Sequence, residues 1–179
     1  MKILLLIVLL VIIGCAPYSY VGGRYDTFSG SVYTIEADAG CAVGYKSYEL
    51  LRDEQLRSLS ISMEDDSVAK ETLANIPKSG ILIVSMSTQN IYSSNPKNWK
   101  YIVKDASDKI VLKTNGRESI PDFMVTQFHT VWNNADFVFL NNPIDFPIKF
   151  YVINALTDKR SCFLINKNTK SPVTESEGE

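Results

Sequence analysis

From residue 81 onward the chain is divided into short apolar or alternating runs by clusters of turn residues, and that spacing leaves few architectures open. Ile81-Leu82-Ile83-Val84 is continuous and mostly β-branched, the pattern of a strand covered on both faces, and alternation follows at Met86, Thr88 and Asn90. Residues 99–103 and 109–113 flank Asp105-Ala106-Ser107-Asp108, which reads as a hairpin, and Asn115-Gly116 marks the next turn. Residues 123–132 suit a strand or a helix. Residues 136–140 form a strand closed by Asn141-Asn142-Pro143, and 148–155 pairs with 161–165 across a polar turn. Strands at this spacing, with few helices and no β–α alternation, predict a mainly β fold, an antiparallel β-sandwich. An immunoglobulin-like arrangement is one form of it and carries no function by itself.

The first half is less uniform. Residues 27–36 carry Val32, Tyr33, Thr34 and Ile35 and predict a first strand. In 56–63, Leu59, Ile61 and Met63 alternate with serines, so the preferred reading of 45–63 is a hairpin turning at Arg52-Asp53-Glu54-Gln55. The competing reading is a short helix over 48–59, where Glu, Leu, Arg and Gln are good helix formers. Val68, Ala69, Leu73 and Ile76 fall on one helical face after Asp65-Asp66, with Pro77 as the stop; this is the one short helix expected. The 45% apolar and 21% charged composition belongs to a folded domain, and the chain is long enough for one core.

Ahead of all this stands a leader. Lys2 is followed by eleven aliphatic residues, Ile3 through Ile13, and the run closes as Ile12-Ile13-Gly14-Cys15. Eleven residues rise about 16 Å as a helix, half of a hydrocarbon core, so the run does not span a bilayer. It has the length of the apolar region of a secretory signal. Cleavage by ordinary signal peptidase after Ala16 would leave Pro17 just past the cut, with a fixed φ and no N–H. The Ile-Ile-Gly-Cys ending resembles the lipobox of bacterial lipoproteins. That resemblance implies diacylglycerol on the Cys15 thiol, removal of residues 1–14 and acylation of the new amino group. It implies anchorage in the cell membrane or the outer membrane. Ala16, where retained inner-membrane members of the family carry Asp, leans to the outer one. The expected division is a signal peptide (1–14), a lipidated tether (15–26) rich in Pro, Ser, Gly and Tyr, a β-sandwich (27–166) and a disordered acidic tail (167–179).

Chemistry-bearing patterns are sparse. Besides Cys15 only Cys41 and Cys162 occur, and an oxidising exported setting would let them form a disulfide. His129 is the sole histidine, which speaks against a zinc site, and no metal or other cofactor is expected beyond the lipid. Ser67-Val68-Ala69-Lys70 has SxxK spacing without its companion motifs and reads as a helical face. Glu64-Asp65-Asp66 suits a helix start, and Asp105 with Asp108 a turn. The net charge of −2 supplies no global field for nucleic acid. What remains is a set of aromatics beside asparagines: Tyr92, Trp99, Tyr101 and Trp132 are the candidate ligand surface for a glycan or protein partner in the envelope.

The resulting expectation is a lipid-tethered envelope domain that acts by binding or assembly rather than catalysis. Two alternatives stand beside it. One is a hydrolase of envelope polymers using His129 and a carboxylate. The other is an adaptor that takes a partner strand at a sheet edge.

Overall fold

Four antiparallel pairs of strands consecutive in the chain, laid alternately into two sheets, make up most of the described fold. A computed structural model describes residues 31–62, 66–125, 127 and 129–167. The expected leader with Cys15, the expected tether and the expected acidic tail past Lys167 lie outside the described residues. In chain order the elements are β1 (Val32–Ala37), β2 (Cys41–Lys46), α1 (Tyr48–Ser62), α2 (Asp66–Ala74), β3 (Ile81–Thr88), α3 (Ile91–Ser94), a 3-10 turn (Pro96–Asn98) and β4 (Trp99–Lys104). They continue with β5 (Ile110–Asn115), β6 (Asp122–Val125), β7 (Thr130–Phe139), β8 (Ile148–Asn154) and β9 (Arg160–Ile165). One sheet runs β1-β9-β8-β4-β5 and the other β2-β3-β7-β6, with every pairing antiparallel. The expected mainly β, antiparallel sandwich is therefore the observed fold. Its strand order differs from the ABED/CFG order of immunoglobulin domains.

Period-two alternation decides which side chains meet. Trp99, Tyr101 and Val103 of β4 and Ile148, Phe150 and Val152 of β8 are all fully buried, as are Leu82 and Val84 of β3. With Met86, Val138, Leu140, Phe163 and Ile165 they form one core between the sheets. Two close approaches fix the chain around it. At Gly80 the backbone has φ +86°, and a Cβ there would lie 2.2 Å from the Lys46 carbonyl oxygen, so only glycine fits. Next to it, Ser79 Oγ accepts from Ile144 N–H (2.9 Å) and donates to the Asn142 carbonyl (2.9 Å), pinning the β7–β8 crossover.

The sequence reading departs from the structure in four places. Residues 48–62 form α1 rather than a hairpin, so the competing helical reading holds. Ser47 caps it, its Oγ accepting from Leu50 N–H at 3.2 Å, and Lys46 pairs with Glu54 at 2.7 Å. The alternating Leu59 and Ile61 lie on the helix, with Ile61 81% exposed. Three α-helices are present among the described residues where one was expected. The ambiguous 123–132 stretch resolves into β6 and the start of β7, which begins six residues earlier than the 136–140 strand read from sequence. Finally, Cys41 and Cys162 are both free. Cys41 packs against the core from β2, whereas Cys162, opposite Tyr151, points out of the five-stranded sheet. The two thiols face different sides of that sheet, and no bridge joins them.

Truncating Phe150 to alanine should lower unfolding free energy by about 3–5 kcal/mol in a urea titration, the range for a fully buried aromatic. Ile120→Ala, at a side chain 94% exposed, should stay within about 0.5 kcal/mol of the parent.

Candidate functional site

Polar chemistry concentrates where the sandwich is open on one side. β6 pairs with β7 only over Thr130–Asn133, so the second half of β7 has no strand partner on that side among the described residues. β5 is the corresponding edge of the other sheet. Between them lies an open cavity of about 230 Å3, lined by Tyr101, Thr114, Arg117, Asp136, Phe137 and Phe139, with Asn115 and Asn141 at its rim.

Asp136 is the centre of this notch. It sits on the inward face of β7 and is 4% exposed. A carboxylate so placed is costly unless paired, and each oxygen has a donor. Oδ1 accepts from the Phe137 N–H at 2.9 Å and Oδ2 from the Arg117 N–H at 3.2 Å, while Arg117 Nε stands 3.6 Å from Oδ1. The approach of Arg117 depends on Gly116. A Cβ there would meet the Pro96 carbonyl oxygen at 2.1 Å and Asp136 Oδ2 at 2.9 Å. The Asn115-Gly116 pair, expected to make a tight turn, thus serves as a narrow passage carrying the chain from β5 across to β6. The Arg117 guanidinium continues outward over the Phe139 ring, 5.5 Å from its centroid.

The Asp136 carboxylate also blunts an edge. In the unpaired half of β7, the Ala135 N–H bonds to Asn134 Oδ1 at 2.9 Å and the Phe137 N–H to Asp136 Oδ1. Donors that would otherwise invite a foreign strand are thereby taken by the strand's own side chains. The strand-accepting reading gains no support at this edge.

Above Asp136 the Tyr101 hydroxyl is fully buried and has no hydrogen-bond partner among the described residues. Burial raises its pKa well above the ordinary phenol value, and the negative charge of Asp136 raises it further. The hydroxyl is thus held neutral, a donor lining the cavity next to the Asp136 carboxylate.

The other expected site residues are dispersed. Trp99 belongs to the core, its indole N–H donating to the Ser93 carbonyl at 2.7 Å, and Tyr92 is 69% exposed on α3. Trp132 is half-buried beside Phe123, ring centroids 5.4 Å apart, near the β6–β7 turn. Of the four aromatics, only Tyr101 reaches the notch, and they do not form one surface. His129 is exposed just before β7. At about 3.3 Å per residue it lies roughly 23 Å along the strand from Asp136. Asp105 organises its own turn, its Oδ1 accepting from the N–H of Ser107 (2.9 Å) and of Lys109 (3.0 Å), and Asp108 pairs with Lys149 at 2.8 Å. Ser67 and Lys70 are exposed on α2. Among the described residues no cluster of His, Cys, Asp and Glu is arranged to hold a metal.

Cys41 and Tyr45 share Tyr101's situation, burial raising the thiol to about 11 and the phenol to about 12. Each folded pKa lies above its unfolded value, so the associated stability is complete below about pH 9 and is lost as pH rises through the folded values. Thermal unfolding should accordingly move to lower temperature between about pH 9 and 12. The Tyr101 Cζ carbon resonance should stay at its neutral position across that range in the folded protein, and Asp136→Asn should bring its titration to lower pH. A Tyr101 resonance that titrates like a free phenol would contradict the burial described here. Comparison with protein-family models, with curated proteins and with solved structures found no match for this chain.

Proposed function

We propose that this chain is a bacterial envelope lipoprotein, anchored by acyl chains on Cys15, whose β-sandwich works by binding a glycan or protein partner rather than by catalysis. The observation that carries the anchor is the order of Lys2, eleven aliphatic residues and Gly14-Cys15. A single acyl chain gives only reversible attachment, whereas two or three hold a protein at a bilayer. No helix among the described residues is long and apolar enough to cross a membrane. The binding half of the reading rests on the notch. Asp136 already accepts two N–H groups beside a guanidinium, so it is committed as a structural anion and is poorly placed to act as a base.

The remaining groups suit recognition. The Tyr101 hydroxyl, the Asn115 and Asn141 amides and the Thr114 hydroxyl offer hydrogen bonds, and the half-exposed Phe137 and Phe139 offer apolar walls. About 230 Å3 is below the ~300–1,000 Å3 that encloses a whole small ligand, so the notch fits one sugar ring or one side chain projecting from a larger partner.

Mass spectrometry of the intact protein should find the mature amino terminus at Cys15 carrying diacylglycerol, and Cys15→Ser should move the protein out of the membrane fraction. A bare terminus, or unchanged fractionation of that variant, overturns the anchor. A photo-crosslinking residue at Phe137 in the lipidated protein should capture a partner that the same residue at Ile61, 81% exposed on α1, does not. Arg117→Ala should reduce that capture.

A further inference from the structure

A net charge of −2 conceals a local excess of the opposite sign. On the outer face of the five-stranded sheet, alternation and register place Lys100, Ile102 and Lys104 of β4 beside Ile110, Lys113 and Asn115 of β5. On the other side of β4 they place Lys149, Tyr151 and Ile153 of β8, then Arg160, Cys162 and Leu164 of β9, then Tyr33 and Glu36 of β1. Five cations therefore share this face with one carboxylate.

The pairing within the face leaves cations over. Glu36 is engaged by Arg160 at 3.1 Å, and Asp108, reaching in from the β4–β5 turn, by Lys149 at 2.8 Å. Lys104 lies over the Tyr151 ring, 5.5 Å from its centroid. Lys113 stands directly opposite Ile102, with Lys100 and Lys104 two residues to either side of it, about 7 Å along the strand. Three ammonium groups thus surround one half-buried isoleucine with no carboxylate within ion-pair distance among the described residues, Asp108 acting on Lys104 only from farther away. Between the cations, Tyr151, Ile153 and Leu164 are half-buried, and Tyr33 and Ile110 are 55% and 53% exposed. Helix α1 lies toward the other sheet, where Glu54 meets Lys46.

We infer that this face rests on an anionic lipid bilayer, the lysines meeting headgroup phosphates and the interspersed apolar side chains lying against the interface. This rests on the Cys15 anchor proposed above. Three observations favour lipid over another polyanion. Long lysine stems among aliphatic and tyrosine side chains can cover apolar surface while their charges reach a phosphate layer. The charge is spread over a sheet face rather than drawn into a groove that would track a polymer. The chain also leaves this same sheet at β1, its edge, only seventeen residues after Cys15, so the anchor and the face belong to one side of the domain's connectivity. Each lysine near an anionic leaflet contributes about fivefold in partition.

The test uses the intact lipidated protein in vesicles of phosphatidylcholine alone or with about 30% phosphatidylglycerol. Flotation with the neutral vesicles reads the anchor. Acetylation of individual lysines, followed by mass spectrometry, reads the face. On the anionic vesicles Lys100, Lys104 and Lys113 should be acetylated at least about threefold more slowly than on neutral ones. Lys70 on α2 and Lys78 should be unchanged. High salt should abolish the difference, and Lys113→Glu should weaken the protection of Lys100 and Lys104. Equal acetylation on the two vesicle types overturns the inference. So does equal protection by a soluble polyanion such as heparin, which would make an acidic polymer the partner. Protein that floats only with anionic vesicles loses the anchor and retains the face; protein that floats with neither loses both.

Discussion

The burial of alternate residues on β4 and β8 is the constraint on which the rest of the structure depends. These two strands are hydrogen-bonded neighbours at the middle of the five-stranded sheet, and Trp99, Tyr101, Val103, Ile148, Phe150 and Val152 all project from them into the core. A slip of one residue in either strand would exchange these side chains for Lys100, Ile102, Lys104, Lys149, Tyr151 and Ile153. Lysines would enter the core and a tryptophan would leave it. The register is therefore fixed by the difference between two sets of side chains. The same difference produces the charged outer face, because residues excluded from the core have one other place to go.

That constraint explains why some elements are readable in the chain and others are not. β8, with its buried and half-buried residues in strict alternation, is legible without tertiary information, as are the β4–β5 and β8–β9 hairpins. α1 is legible only as a competition. Leu59, Ile61 and Met63 alternate like a strand, but Ser47 supplies a helix cap and Glu54 an ion pair to Lys46, and these local terms decide. The notch is not legible at all. Its parts come from β4, the passage after β5 and the middle of β7, and Asp136 read from sequence is one polar residue at the start of a strand. Tyr101 was readable as an aromatic of interest, but nothing in the chain indicated that its ring would join the core while its hydroxyl faced a cavity. The only local signal near the site was Asn115-Gly116, whose glycine marks a close approach instead of a hairpin turn.

Asp136 carries two burdens with one carboxylate. It satisfies the N–H groups of Phe137 and Arg117, and it places a charge on the inward side of an unpaired strand. Inward charge at an edge disfavours docking of a second sheet, because the added strand would have to displace a bonded carboxylate from its donors. Arg117 then closes the charge balance from outside, lying over the half-exposed Phe139 ring. The edge between β5 and β7 is thus kept accessible to a small group while being made unsuitable for a strand.

The notch and the basic face meet on β5. Leu112 and Thr114 turn inward and line the notch, and Lys113 between them turns outward onto the basic face. Period two along a single edge strand therefore assigns successive residues to opposite faces of the sheet. A domain resting on its basic sheet face would keep these inward-facing notch residues away from the bilayer. In that orientation the Tyr101 hydroxyl and the Phe137 and Phe139 rings would stay open to a partner alongside the domain, and lipid contact and partner contact would not compete. The geometry also limits the partner. A group that enters between β5 and β7 comes within one residue of Lys113, so a ligand bearing negative charge would feel that lysine, whereas a neutral sugar or side chain would not.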